Sequence, residues 1–282
     1  MPLIKLIADS GSSKTDWCLI DGKTDPKFST QGLSPYFLND KQISNIISLE
    51  LLMNLKGVDV DEIYFYGTGC ASEKNCSIVR EGLKTHFPDA SIFITHDLMA
   101  AAKALCGTEP GIACILGTGS SCCYFDGKEI IKSSPGIGFI LGDEGSGAFL
   151  GKKIIQYYLY RTFDEELYDK FRTKYETSTA EILNRVYREP LPNRYLASFT
   201  TFLSENRGHY MIENILEDGI NDFFFNRIYK YSESWTNPIH FVGGVAHAFS
   251  DVIIDLCNSY QLTAGKILQR PIDGLTDFHI NN

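Results

Sequence analysis

The chain has 282 residues, long for a single core and comfortable for two, so its length favours a two-lobed molecule. With 44% hydrophobic and 22% charged residues and no low-complexity tract it is not a disordered chain. The formal net charge of -9, the pI near 5.2 and the lack of a basic stripe argue against a nucleic-acid partner, and no apolar stretch approaches the roughly 20 residues that would span a bilayer.

In chain order, the apolar run over residues 3–8 reads as a strand, and after the loop DSGSSKTD a second run, Trp17–Ile20, ends at Asp21-Gly22, so the pair predicts a hairpin. Ile43, Ile46, Ile47, Leu51, Leu52 and Leu55 follow a helical spacing that stops at Gly57. A strand over Ile63–Tyr66 leads to the turn Gly67-Thr68-Gly69, Ser72 is placed to cap a helix that runs to about His86, and Ser91–Thr95 is strand-like. His96-Asp97 then opens an Ala-rich helix to Leu105, and Gly107–Gly111 is the expected boundary of a first lobe over 1–108.

Beyond that boundary the opening pattern recurs. Ile112–Leu116 is a strand, Gly117-Thr118-Gly119-Ser120-Ser121 a loop, Cys122–Phe125 a returning strand and Asp126-Gly127-Lys128 a turn, so Gly11-Ser12-Ser13 is echoed by Gly119-Ser120-Ser121 and Asp21-Gly22-Lys23 by Asp126-Gly127-Lys128. Such internal similarity implies two related lobes. The second lobe, 109–270, carries a helical, aromatic-rich insertion over about 147–231, where core and, in a homodimer, a subunit interface are expected; Pro190 and Pro192 break it. Pro238–Val242 resumes as a strand before Gly243-Gly244, a helix from about Ala246 to Tyr260 and a strand-like Lys266–Leu268.

Three segments have the chemistry of a nucleotide site. In Asp9-Ser10-Gly11-Ser12-Ser13-Lys14-Thr15 small residues let backbone N–H groups approach phosphate oxygens, hydroxyls and Lys14 add donors, and Asp9 at the strand tip could hold a hydrated Mg²⁺; a polar hairpin turn is the plainer alternative. The loop Gly117-Thr118-Gly119-Ser120 has the same donors without the carboxylate, and the two loops together would suit the phosphates of one nucleotide. Gly243-Gly244, closing the apolar Phe241-Val242, either bares backbone to a base or ribose or allows a helix to pack closely on a strand.

These motifs, in this order and at these separations, resemble the sugar-kinase, actin and chaperone-ATPase superfamily, and within it the BadF/BadG/BcrA/BcrD-type ATPases and the N-acetylglucosamine kinases, over nearly the whole chain. The resemblance implies an α/β fold of two ribonuclease H-like lobes with a nucleotide cleft between them, the C-terminal helix of about 271–282 packing back on the first lobe. It also implies an enzyme using ATP and Mg²⁺ on a sugar substrate; the eight cysteines, without metal-like spacing, are expected to be mostly small buried hydrophobes in a reducing cytoplasm. By the same likeness, Asp97 is the base that takes a proton from the attacking sugar hydroxyl, where the residue alone reads as a helix cap. Asp143 of Gly142-Asp143-Glu144-Gly145-Ser146-Gly147, which alone reads as a surface turn, would bind the sugar with Gly138 nearby; Ser13 and Thr118 would face phosphate, and Gly243 and Gly244 adenosine.

Departures accompany the likeness. Ser34 of Gly32-Leu33-Ser34-Pro35 stands where relatives often have a sugar-contacting Asn, two serines stand for glycines in the first loop, and Leu275 replaces a small residue in the last helix. Two other functions fit the fold: an ATPase driving a partner protein, as dehydratase activators do, and a sugar or nucleotide sensor without catalysis. The activators need exposed loop cysteines for a shared iron–sulfur cluster, whereas the eight cysteines here show no C-x-x-C pair and Cys122 and Cys123 fall in a strand. The N-terminal MPLIKLIADSG shows no secretion signal.

Overall fold

The structure, a computed structural model, describes residues 3–11 and 14–282 and divides into two compact units, one ending at Gly107 and regaining Arg270–Asn282, the other Thr108–Gln269. In the first unit β1 (Lys5–Ser10), β2 (Lys14–Ile20) and β3 (Lys27–Gln31) form an antiparallel meander, and β4 (Glu62–Gly67) and β5 (Ser91–His96) add to it in parallel, giving the order β3-β2-β1-β4-β5. The unbroken apolar run of β1 follows from its central place. Leu6 and Ala8 sit in a core with Ile43, Ile47, Val79 and Leu83 on one face, while Ile7 packs with Ala100, Ala104, Ile272 and Leu275 on the other.

The second unit repeats this plan. β6 (Gly111–Leu116), β7 (Ser120–Phe125), β8 (Ile130–Ser133), β9 (Ile239–Val242) and β10 (Ala264–Leu268) stand in the order β10-β9-β6-β7-β8, with the same antiparallel and parallel pairings. The repeated Asp-Gly-Lys turns match at atomic detail: Asp21 Oδ1 accepts from the Lys23 and Thr24 amides, Asp126 Oδ1 from the Lys128 and Glu129 amides, and Gly22 and Gly127 have φ of 71° and 100°. The register corrects the other half of the echo. Pairing of Ser10 with Thr15 and of Leu116 with Ser120 makes Gly11 and Gly117 the first residues beyond the paired ends of β1 and β6, so Gly11 corresponds to Gly117, not to Gly119.

β3 and β8 escape the sequence pattern because each is an outer strand with little to bury: Thr30 is the buried residue of KFSTQ, and IIKS buries none. Leu38–Leu55 is a helix from Asp40, capped by a reciprocal Asn39–Gln42 box, wound into a π-turn over Ile47–Leu51 and closed after Leu55 by Lys56 and Gly57, both at positive φ. Ser72 caps Glu73–Lys84 through the Asn75 amide. The helix expected from Ala246 to Tyr260 is two, Gly244–Ala248 and Ser250–Ser259, interrupted where buried Phe249 leaves the helical region at φ -121° and ψ 36°.

Between β8 and β9 the second unit inserts its helices, and the aromatic richness of that stretch is core: Phe171, Phe199, Phe202, Phe223 and Phe224 are buried together. No helix among the described residues is long and apolar enough to cross a membrane. The last helix, Pro271–Asn281, lies in the first unit against the Ala-rich helix Asp97–Cys106, tied by the Lys27–Asp273 ion pair and by the Tyr66 hydroxyl to His279 Nε2 at 2.9 Å. A Cβ on Gly274 would lie 2.3 Å from the Ala104 carbonyl oxygen, so the two helices touch backbone to backbone. Gly274→Ala is therefore expected to cost at least about 2 kcal/mol and to lower Tm by roughly 5 °C in thermal denaturation, whereas an unchanged Tm would show that the helices do not meet this way.

Candidate active site

The carboxyl ends of the parallel strands β1, β4 and β5 bring Asp9, Thr68 and Asp97 together, the usual place for a ligand in an open α/β sheet. Ser10, the last residue of β1, organises the neighbourhood. Its carbonyl accepts from the Thr68 amide (2.8 Å), its buried hydroxyl pairs with the Thr15 hydroxyl (2.8 Å) and it accepts from the Leu33 amide (3.1 Å), which fixes the approach to Ser34. Ser34 is itself buried, its hydroxyl 3.5 Å from the Thr68 carbonyl, so its side chain serves the turn beside Asp97. Asp97 opens its helix but is not the cap: that position is His96, and the Asp97 carboxylate instead accepts from the Thr68 hydroxyl at 2.8 Å.

Asp9 and Asp16 are direct cross-strand partners, a like-charge pairing that Lys14 offsets by its ion pair with Asp16 at 2.6 Å. Desolvation is the main cause that lifts the Asp9 carboxyl to about 7; the charges of Asp16 and Asp97 add to it and Lys14 opposes it. Asp9 thus feels two neighbouring carboxylates against one lysine, an excess of negative charge that would suit a divalent cation there. An all-protein cage is not present, since among the described residues no group of three or more His, Cys, Asp or Glu is arranged to hold a metal. Gly11 closes its loop through its amide to the Lys14 carbonyl (2.9 Å); Ser12 and Ser13 lie outside the described residues.

In the second unit Gly117–Gly119 is docked on a helix start: the Gly117 and Thr118 carbonyls accept from the Gly147 and Ala148 amides at 2.8 and 3.0 Å, the first turn of Gly147–Leu159, which Ser146 caps. A Cβ on Gly119 would lie 2.9 Å from Asp143 Oδ2, so this glycine makes room for the Asp143 carboxylate over the loop. Asp143 has φ of 55°, its backbone held in the left-handed region, and its pKa is raised first by burial, with the Ser120 amide and Arg227 pulling the other way. Gly138 opens the short helix Gly138–Leu141 at φ 73°, with open space where a Cβ would stand. Arg227, which the sequence does not single out, ties these segments: it is buried, donates to Glu144 Oε2 (3.1 Å) and donates to the Pro135 carbonyl (2.8 Å). Thr68 is the other residue missed, and its one signal is that Gly67-Thr68-Gly69 repeats the composition of Gly117-Thr118-Gly119.

Gly243 and Gly244 part company. At φ 128° a Cβ on Gly243 would strike the Leu116 carbonyl oxygen at 2.2 Å, so close packing of strand ends requires that glycine, whereas Gly244 faces open space. All eight cysteines are buried, Cys122 and Cys123 within β7, which leaves no exposed loop cysteine for an iron–sulfur cluster shared between subunits. Gly243→Ala should unfold the protein or lower Tm by roughly 10 °C, while Gly244→Ala keeps Tm within about 2 °C and shows its effect in nucleotide affinity; equal Tm losses would contradict the division. An acid whose pKa folding raises holds its proton more tightly in the native state, so Asp9 destabilises the fold progressively as pH rises from about 4 towards 7 and fully above that. In magnesium-free buffer Asp9→Asn is expected to raise Tm at pH 8 by roughly 5 °C, and the gain should shrink as pH falls to 4; a difference that ignores pH would rule out the raised carboxyl.

No family model matches the chain. A crystal structure from Porphyromonas gingivalis, provisionally named an N-acetylglucosamine kinase, is 38% identical, with a TM-score of 0.93 over 98% of this chain and 99% of its own. A curated N-acetylmuramic acid/N-acetylglucosamine kinase of Clostridium acetobutylicum is 27% identical over 170 residues, 56% of this chain, and the chain thereby spans about half (54%) of that relative's length. MreB5 of Spiroplasma citri, bound to AMPPNP, shares the fold at 12% identity, with a TM-score of 0.58 over 100% of this chain and 97% of its own. The duplicated sheet order, the paired loops and a full-length likeness at this identity lead to one assignment: the chain has the actin-like ATPase fold and belongs to the N-acetylglucosamine kinase family.

Proposed function

We propose that the chain transfers the γ-phosphoryl group of ATP to a hydroxyl of N-acetylglucosamine or a closely related amino sugar. The observation that carries this reading is a carboxylate at the end of β5, Asp97, oriented by a hydroxyl donor and set beside Asp9, in a chain whose relatives are named for this reaction. The substrate hydroxyl gives its proton to Asp97 as its oxygen bonds to the γ-phosphorus; the bond from that phosphorus to the β–γ bridging oxygen breaks, and ADP leaves. In the first unit Lys14 offers its ammonium to phosphate, whereas Thr15, expected to do the same, is buried with its hydroxyl on Ser10 and the Gln31 carbonyl; in the second unit Thr118 and Gly119 offer a hydroxyl and an amide to phosphate, Gly244 opens backbone to adenosine, and Gly243 holds that turn in place. Asp9 is the residue that would hold Mg²⁺, whose charge would offset that of phosphate; in the second unit Asp143 and Gly138 would offer the sugar a carboxylate and bare backbone, while the buried Ser34 of the first unit acts through the Thr68 turn.

Phosphoryl transfer depends on positioning and charge neutralisation more than on strong bases, which suits an ordinary carboxylate held rigidly. The test is coupled ADP release with a panel of amino sugars. Sugar-dependent turnover that falls by a factor of about 10² or more in Asp97→Asn, without loss of Tm, is expected. Turnover independent of sugar would instead support an ATPase of the same fold, and binding of sugar and nucleotide without turnover a sensor.

A further inference from the structure

We infer that Thr68 is a positioning residue for the proposed phosphoryl transfer, holding the Asp97 carboxylate in the orientation that accepts the sugar proton; this rests on the reading of Asp97 as the base. The Thr68 hydroxyl donates to Asp97 Oδ2 at 2.8 Å, and among the described residues no other hydrogen bond reaches that carboxylate. One oxygen is thereby occupied and the plane of the group is set, leaving Oδ1 for an incoming hydroxyl. Without that bond the carboxylate turns about χ2, a broad and shallow torsion, and the fraction of time in which Oδ1 faces substrate falls.

Thr68 is in turn fixed from its own backbone. Its amide donates to the Ser10 carbonyl at the end of β1 (2.8 Å), and its carbonyl is met by the Ser34 hydroxyl at 3.5 Å. Ser10 is held by Thr15 and Leu33, so the first loop, the turn at Ser34 and the base are joined through one residue. The hydroxyl is what the role requires: Ser retains it and Val, the isostere of Thr, removes it.

The experiment compares Thr68→Val, Thr68→Ala and Thr68→Ser in coupled ADP release with N-acetylglucosamine, after folding has been checked by circular dichroism. T68V is expected to lower kcat roughly 10- to 100-fold while KM for the sugar and for ATP stays within about threefold, and T68S to keep kcat within about threefold of wild type. T68A, which adds no bulk, should match T68V and decides the matter if T68V does not fold. Wild-type kcat in T68V or T68A, or a loss in T68S as large as theirs, would overturn the inference. Asp97→Asn separates the two levels: its full activity would remove the base and Thr68's role with it, whereas its inactivity beside an active T68V removes only the latter.

Discussion

The end of β1 at Ser10 is the constraint on which the first unit's site depends. A strand that stops there leaves one carbonyl to be filled by the neighbouring parallel strand, and Thr68 fills it; the Ser10 hydroxyl, buried, must also be satisfied, and Thr15 and Leu33 do so. Three segments distant in sequence are brought to one point because buried polar groups need partners. The Asp97 carboxylate is one bond further along the same chain.

The second unit solves the equivalent junction without a polar network. Leu116 occupies the place of Ser10 in the strand register, and the turn after β9 closes on it by backbone contact, which is why Gly243 tolerates no side chain. Here the loop is steadied from the other side, by the first amides of the helix Gly147–Leu159. The duplicated frame thus carries two different solutions. One unit concentrates carboxylates, with Asp9, Asp16 and Asp97 near a single lysine, and the other places its carboxylate, Asp143, over a glycine loop and braces it through Glu144 and Arg227.

Ser34 belongs to the first unit's network. Its hydroxyl, buried and turned to the Thr68 carbonyl, has a single donor and uses it to steady that turn.

Elements with strong local signals were legible in the sequence: apolar β1 and β6, the Asp-Gly-Lys turns, the cap at Ser72, and the glycine loops whose backbone must come close to something. The sequence also showed the duplication, though it aligned Gly11 with the wrong glycine, because triplet identity ignores the strand register, which sets Gly11 against Gly117, two residues before Gly119. The edge strands β3 and β8, the break at Phe249 and the partners of Asp97, Asp143 and Arg227 were decided by tertiary structure. Their signals are not local: an edge strand buries little, a break depends on what Phe249 packs against, and a carboxylate's role is set by donors that the chain brings from 29 or 83 residues away.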